Sequence, residues 1–343
     1  MLDYKKTGTF LASKRKQAQM TQADVAQKLG VSFQAVSKWE NGTLPFPEIP
    51  HPVLVLKSEE PGSKQKLAME YGYSESICHD MINHLVNDIM VMGARPLAVL
   101  YTIVCGSAEK ETIKSFIKGI SDACRENGCS LVGGETSIQP QVVEKGVYVL
   151  TSSIAGILSK DKVIDGSGIT EGDTVLAVAS NGLHTNGYSL VRMLMDQMPQ
   201  IKLEKIDGET FIEQIMKPHT TYRNAIRNLL ECPGIHGMAH ITGGGIQGNL
   251  CRILPDNLYA DIDLSKIKTL PIFRYIQRIG NIDEAEMLST FNCGVGLIVV
   301  VSERYAEQAI RNIAKYHDCY EIGRIRKGNG KVLFRNSVNW ESS

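Results

Sequence analysis

The chain has 343 residues, of which 43% are hydrophobic and 22% are charged, values typical of globular proteins. Its 37 lysines and arginines equal its 37 aspartates and glutamates, so the whole chain has no net charge that would favour nucleic acid or a membrane surface. The eight cysteines form no CxxC pair, and no signal peptide and no run of about eighteen apolar residues occurs, so the sequence predicts a reduced, cytosolic protein without a membrane span or a cysteine zinc site.

The first 44 residues differ from the rest in charge and in pattern. The first twenty contain five basic residues and a single acidic one. Three short helical patterns follow one another, and Thr21 and Ser32 are suitable caps for the second and third. A helix-turn-helix results, whose second helix would present polar side chains to a major groove. These outward residues are Gln34, Ser37 and Lys38.

The string MTQADVAQKLGVSFQAVSKWENG resembles the Xre/Cro repressor family. That family continues into two further helices, whereas here the prolines at 45, 47, 50 and 52 interrupt the chain. The resemblance implies DNA contacts by Gln34, Ser37 and Lys38. The alternative is a retained helical cap in which Phe33 packs on the protein itself.

A short strand at Val53–Leu56 leads into the segment Glu59-Glu-Pro-Gly-Ser-Lys64. Carboxylates, a hydroxyl and a lysine on the turn after a strand could hold a metal–phosphate ligand. Surface turns often have the same composition, so the pattern alone leaves both interpretations open.

A buried helix is predicted from Ser76 to Ala94. Its polar residues Asp80, His84, Asn87 and Asp88 fall on a single face. If that face is buried, Asp88 must be paired or must bind a cation, because an isolated buried carboxylate is very costly. A solvated face is the alternative.

Strands and helices then alternate through the rest of the chain, which predicts an α/β class. Strands are expected at 97–104, 130–132, 148–158 and 172–179, and helices at 110–127, from 188, from 217 and at 303–316. Polar turns follow two of these strands. The first is Gly133-Gly-Glu-Thr136, and the second is 180–187, which contains His184 and Asn186.

Three consecutive glycines at 243–245 follow His240 and Thr242. Such a run is easiest to justify where the backbone approaches another group closely. The glycines could form a flexible connector, or backbone N–H groups at a helix start could bind a phosphate or carboxylate. His240 is either a proton carrier or a hydrogen-bonded structural residue.

Five ordered strings over residues 53 to 335 resemble aminoimidazole ribonucleotide synthetase, also called phosphoribosylformylglycinamidine cyclo-ligase. They are LVNDIMVMGARPL, NGCSLVGGET, SNGLHTNGYSLVR, HITGGGIQGNLCRILP and EMLSTFNCGVGLIVVV. The resemblance implies two α/β domains, a homodimer formed through the first domain's sheet, and an active site between the domains. It also implies ATP and Mg²⁺, used to phosphorylate the amide oxygen of formylglycinamidine ribonucleotide before the ring closes.

Carried onto this sequence, the resemblance assigns a role to each polar motif. Catalysis falls to His240, Lys64 and Asp88; ATP binding to Lys64, Ser63, Asn87, Asp88 and Glu135; metal binding to Asp88, Glu59 and Asp80; and substrate binding to Gly133, Gly134, Thr136, His184, Asn186, Thr242, Gly243, Gly244 and Gly245. Where the family has Asp-Gly-Val-Gly-Thr-Lys, this chain has Glu59-Glu-Pro-Gly-Ser-Lys64.

The predicted organisation is a helix-turn-helix at 1–44 and two synthetase-like α/β domains at 45–166 and 167–343. The predicted function is that of an ATP-dependent cyclo-ligase in purine synthesis. The alternative is a catalytically weakened or inactive homologue that senses a purine intermediate and binds DNA through the first 44 residues.

Overall fold

The computed structural model of the protein describes residues 4–29, 32–42 and 49–341. The predicted turn at Gly30 and Val31 and the breaks at Pro45 and Pro47 lie outside these residues. The chain forms two compact units, which are Met1–Val53 with Leu158–Asp161, and Leu54–Ile157 with Lys162–Ser343. Among the described residues, no helix has the length and apolar character needed to cross a membrane.

The described residues of the smaller unit form three helices, α1 (Tyr4–Gln17), α2 (Gln22–Leu29) and α3 (Phe33–Glu40). Thr21 and Asp24 exchange hydrogen bonds at the start of α2, and Ser32 accepts one from the Ala35 N–H at the start of α3. Both predicted helix starts are therefore confirmed. Arg15 on α1 binds Glu40 on α3 with a nitrogen–oxygen distance of 2.5 Å.

The first sheet of the larger unit has the strand order β1-β4-β2-β3, with β2 parallel to β3 and antiparallel to β4. Its strands are β1 (Pro52–Glu59), β2 (Arg95–Cys105), β3 (Ser130–Ile138) and β4 (Tyr148–Ser159). The helices of this half are α4 (Lys64–Tyr71), α5 (Ser76–Met90) and α6 (Lys110–Glu126), and α5 packs on α6 and β2.

Several boundaries differ from the prediction here, and β1 continues to Glu59, the first residue of the predicted turn. The strand expected to end at Val132 continues to Ile138, because Gly133 and Thr136 pair in register with Leu100 and Ile103 of β2. The segment 133–136 is therefore part of an edge strand rather than a turn. Helix α5 ends at Met90 instead of Ala94, since the chain turns at Gly93, whose φ is +87°, before β2 begins.

The second sheet has six strands in the order β12-β9-β11-β5-β10-β8. Its strands are β5 (Thr174–Ala179), β8 (Ile235–His240), β9 (Leu258–Asp263), β10 (Val295–Val301), β11 (Cys319–Lys327) and β12 (Val332–Arg335), and a separate hairpin joins β6 (Lys205–Ile206) to β7 (Glu209–Thr210). Its helices are α7 (Tyr188–Gln197), α8 (Phe211–Ile215), α9 (Arg223–Leu229), α10 (Gly245–Leu250), α11 (Pro271–Gly280), α12 (Glu284–Thr290) and α13 (Ala306–Ile313).

Strand β10 is buried along its whole length, so the core of this half lies along the central strands. Two sheets flanked by helices confirm the predicted α/β class. Two helix predictions were too long: α13 begins three residues later and ends three residues earlier than expected, and residues 217–222 precede α9 without being helical.

Candidate functional site

The polar face of α5 contacts the non-helical segment 217–222 of the second half. Asn83 Nδ2 donates to the His219 carbonyl at 2.7 Å, and Asn87 Nδ2 donates to the Thr220 carbonyl at 2.8 Å. Asn87 Oδ1 also accepts the Tyr222 N–H at 2.9 Å. These side chains satisfy backbone groups that a helix would otherwise pair, which explains why the segment is not helical. Asp80, His84 and Asn87 are buried and Asp88 is partly exposed, so the alternative of a solvated face was wrong for three of the four predicted residues.

Lys64 and Asp80 form an ion pair that is fully buried. Lys64 Nζ lies 2.8 Å from Asp80 Oδ1 and 2.7 Å from the Lys217 carbonyl, and Asp80 also accepts the His219 N–H at 2.8 Å. Burial lowers the pKa of Lys64 and raises the pKa of Asp80 to about 6. The two charges therefore compensate each other and tie α4, α5 and the 217–222 segment together.

Four buried histidines surround this contact: His84, His184, His219 and His240. The His184 and His219 rings stack with centroids 3.9 Å apart, and the Nε2 atoms of His219 and His240 are 2.8 Å apart. Burial, and secondarily the charge of His240, lowers the pKa of His84 to about 4. Burial also holds the pKa of His184 and His219 well below the usual value, so these three rings are neutral at neutral pH.

Asp88 is partly exposed and contacts the buried His240. His240 Nδ1 lies 2.6 Å from Asp88 Oδ1, and Lys57 Nζ lies 3.0 Å from Asp88 Oδ2. Burial raises the pKa of Asp88, but the hydrogen bond from His240 and the nearby cationic groups outweigh it, and the pKa lies well below its usual value. Asp88 is therefore ionised, and its carboxylate orients the His240 ring at the end of edge strand β8.

A cavity of about 670 Å³ opens beside this pair. Its wall comes from both halves of the larger unit: Lys57, Glu59, His84, Asp88, Val91, Met92, Val163, Ile164, Asp165, Asn186, Met238, Ala239, His240, Thr242, Gly243, Asn249, Arg252 and Ile253. The volume suits a ligand of nucleotide size. Both charge types are present in the wall, since Lys57 and Arg252 face a cavity that also contains carboxylates.

The structure brings six of the sequence-predicted residues together in this wall. They are Glu59, Asp88, Asn186, His240, Thr242 and Gly243. Asn87 and His184 lie directly behind it: Asn87 Nδ2 is 3.4 Å from His240 Nε2, and His184 stacks on His219.

Other predicted residues lie apart from the cavity wall. Ser63, Lys64 and Asp80 belong to the region around the buried ion pair, while Gly133, Gly134, Glu135 and Thr136 lie on β3, the edge strand of the first sheet. Gly244 and Gly245 begin α10 with φ values of +92° and +59°. A Cβ on Gly245 would lie 1.8 Å from the Leu288 carbonyl oxygen, so close packing accounts for this glycine.

Three residues of the cluster were not assigned a role from the sequence. His84 had a usable signal, since it lies one helical turn from both Asp80 and Asp88 on the same face of α5. Lys57 and His219 had none, because their contacts join segments far apart in the chain.

The predicted DNA-contacting residues lie on α3 of the smaller unit. Gln34 and Lys38 are exposed and Ser37 is half-buried. Phe33 is also exposed, at 51% of its surface.

Most of the chain matches two domain families of known proteins. Residues 54–158 match the family described as AIR synthase related protein, N-terminal domain, and residues 170–336 match its C-terminal domain. Residues 11–47 match a helix-turn-helix family. The chain belongs to the AIR synthase related family, which confirms the predicted resemblance.

Within this family, the chain is similar to phosphoribosylformylglycinamidine cyclo-ligases along most of its length. Phosphoribosylformylglycinamidine cyclo-ligase of Chromobacterium violaceum is 40% identical over 281 residues, which cover 81% of each chain. The enzyme of the same name from Methylobacillus flagellatus is 42% identical over 307 residues, covering 88% of this chain and 85% of the relative. Among solved structures, hydrogenase maturation protein HypE in complex with ATP is similar in fold, with a TM-score of 0.61 and 16% identity over 82% of this chain and 81% of HypE.

Proposed function

We propose that the protein is an ATP-dependent cyclo-ligase that closes formylglycinamidine ribonucleotide to aminoimidazole ribonucleotide. The observation that carries this proposal is the Asp88–His240 pair in the wall of a 670 Å³ cavity, in a chain about 40% identical to cyclo-ligases. In the reaction, the amide oxygen takes the γ-phosphoryl group of ATP, the amidine nitrogen attacks the activated carbon, and phosphate leaves.

The Asp88–His240 pair is assigned to proton transfer. His240 Nδ1–H donates to Asp88 Oδ1, which fixes the ring and leaves Nε2 to accept the hydrogen bond of His219 Nε2 at 2.8 Å. Asp88 is ionised at the cavity and can accept the proton that the amidine nitrogen releases when the ring closes, while the Nδ1–H of His240 stays bonded to the carboxylate and holds it in place. The two residues act as one unit.

Charge in the wall supports binding of the two phosphorylated ligands. Arg252 offers a bidentate partner for a phosphate, and Asn186, Thr242 and the Gly243 backbone lie in the same wall. We assign these four residues to the ribonucleotide. The fold is shared with a HypE structure that binds ATP, and this supports ATP as the second ligand.

Magnesium is the metal expected with ATP, and the carboxylates of Glu59 and Asp88 are suitable oxygen ligands for it. Lys57 Nζ lies 3.0 Å from both carboxylates, so the site already accommodates positive charge between them. Bound there, Mg²⁺ would neutralise charge on the transferring phosphoryl group. Asp80 is less suitable, since its charge is compensated by Lys64.

The exposed face of the first sheet supports a homodimer. Leu56, Leu100 and Val132 are 76%, 52% and 60% exposed, and they line one shallow apolar cavity of about 530 Å³. Apolar patches of this kind mark interaction surfaces. A second copy of this chain is the proposed occupant, in agreement with the dimer that the family resemblance implies.

The helix-turn-helix match supports a second activity, binding of DNA through Gln34, Ser37 and Lys38 of α3. We expect a salt-dependent affinity with a preferred site, measured by titration of labelled duplexes against the intact protein at several salt concentrations. The variant Lys38→Ala should weaken binding, with Lys315→Ala on the larger unit as the control. Equal affinity for all duplexes would contradict sequence-specific binding.

Phosphate release tests the enzymatic proposal directly. The intact protein, supplied with formylglycinamidine ribonucleotide, ATP and Mg²⁺, should release phosphate and form aminoimidazole ribonucleotide, whereas His240→Ala should not. If the two proteins release phosphate equally slowly but bind the ribonucleotide, the sensing alternative gains support and the enzymatic proposal fails.

A further inference from the structure

We propose that His84, His240 and Asp88, with Glu59 as a fourth ligand, bind a transition-metal ion such as Zn²⁺ at the cavity wall, without a nucleotide. This site shares Glu59 and Asp88 with the proposed magnesium site and adds two imidazole nitrogens, which favour Zn²⁺, Co²⁺ and Ni²⁺ over Mg²⁺. The inference depends on the side-chain geometry alone and does not rest on the proposed function.

The ligand atoms already lie close together. His84 Nε2 is 3.6 Å from Asp88 Oδ2 and 3.8 Å from Glu59 Oε2, distances too long for hydrogen bonds. His84, Asp88 and His240 can each offer one atom such that all three lie within 4.8 Å of one another. Metal–ligand bonds of about 2.0–2.2 Å in a tetrahedral zinc site place ligand atoms about 3.3–3.6 Å apart, so small side-chain movements complete the site.

Both histidines have a partner at the ring nitrogen that faces away from the ion. His84 Nδ1 lies 3.3 Å from Thr185 Oγ1, and His240 Nε2 lies 2.8 Å from His219 Nε2. Metal-binding histidines almost always donate their other N–H to such a partner, which fixes the ring. On binding an ion through Nδ1, His240 would give up its hydrogen bond to Asp88 and carry its hydrogen on Nε2. His219 Nε2 would then be the acceptor, and the hydrogen of His219 would lie on Nδ1, which has no hydrogen-bond partner among the described residues.

The ammonium group of Lys57 lies between the carboxylates of Glu59 and Asp88, where the proposed metal ion would bind. Its Nζ lies 3.0 Å from Glu59 Oε2 and 3.0 Å from Asp88 Oδ2. Its side chain is 37% exposed and can swing into the cavity, which makes the place available to a divalent ion. An ammonium group and a metal ion therefore compete for the same pair of carboxylates.

A second group of three histidines, His184, His219 and His240, also lies within 4.8 Å but is unsuitable. The His184 and His219 rings stack with an interplanar angle of 20°, so their lone pairs lie in nearly parallel planes. Two such lone pairs cannot both point at one ion. The charge of Lys64, which lowers the pKa of both His184 and His219, is also unfavourable for a cation at these rings.

Titration of the metal-free intact protein with Co²⁺ in the absence of nucleotide tests the proposal. We expect one equivalent to bind with the intense visible absorption of a four- or five-coordinate ion and without a thiolate charge-transfer band. His84→Gln should weaken binding by at least about tenfold. Lys57→Met should strengthen it by several-fold, because the competing ammonium group is gone.

The matched control is His236→Gln. His236 lies on the same strand as His240 and also pairs with a carboxylate, with His236 Nδ1 2.7 Å from Asp173 Oδ2, but it is outside the proposed ligand set. This variant should bind Co²⁺ like the parent protein. Unchanged affinity in both His84→Gln and Lys57→Met, a thiolate band, or the weak absorption of an octahedral ion would each overturn the proposal, and circular dichroism confirms that each variant is folded.

Discussion

At the scale of single residues, Asp88 is where the buried histidines meet the cavity. Its carboxylate receives His240 on one oxygen and Lys57 on the other, so an α5 side chain connects β8 to β1. The periodicity of α5 predicted that Asp88 would need a partner, and the family resemblance indicated that His240 is catalytic, but the sequence did not predict that the two would pair. Lys57 could not be predicted, because its contact depends on how β1 lies beside α5.

Replacing Asp88 by Asn should lower the rate of phosphate release by about 10²-fold or more, since a neutral amide cannot accept the proton and holds the His240 ring less firmly than a carboxylate. The measurement is kcat with saturating ATP and ribonucleotide. His236→Gln, whose histidine also pairs with a carboxylate but lies outside the cavity wall, should retain the parent rate. A full rate in Asp88→Asn would remove the pair from the mechanism.

Lys64→Met should destabilise the protein by about 3–5 kcal/mol, because Asp80 would remain buried without its counter-charge. Denaturant unfolding of the parent and the variant gives this difference. The double variant Lys64→Met with Asp80→Asn should recover part of the loss, since no buried charge then remains. A single variant as stable as the parent would show that Asp80 is not charged in the folded protein.

At the scale of elements, the glycines that precede and begin α10 have two different roles, one in the cavity wall and one in packing. Gly243 lies in the cavity wall, whereas Gly245 is fixed by packing against the α12 carbonyl of Leu288. The sequence left open whether the glycines form a connector or a ligand site, and the structure divides them between packing and cavity. The three-part division at 44 and 166 stays a prediction.

Gly245→Ala should destabilise the protein by more than about 2 kcal/mol, because a Cβ would collide with the Leu288 carbonyl oxygen 1.8 Å away. Gly208→Ala is the control, since Gly208 also has a positive φ, +85°, but nothing lies within 4 Å of its Cβ position. The difference between the two variants in thermal unfolding isolates the collision from backbone strain. Equal losses would contradict the packing explanation.

At the scale of the whole molecule, the exposed apolar face of the first sheet is the feature that a monomer leaves unexplained. Leu56→Glu should shift the protein toward monomer, because a carboxylate would be buried in the interface between two copies. Sedimentation equilibrium measures the mass. Leu203→Glu is a suitable control, since Leu203 is 81% exposed but lies outside this face. A parent protein that is monomeric at all concentrations would refute the dimer.

The sequence by itself determined the α/β class, the family, the starts of helices α2 and α3, and the polar face of α5. Periodicity, helix caps and long ordered motifs can be recognised from residues that are neighbours in the chain. Only the tertiary structure decided which polar residues share the cavity. It placed Lys64 and Asp80 in a buried ion pair, continued β3 through the predicted glycine turn, and brought Lys57 to Asp88 and His219 to His240. Those contacts join segments up to about 150 residues apart, as between Asp88 and His240. Such proximity arises from the packing of α5 against the second half, which no local pattern encodes.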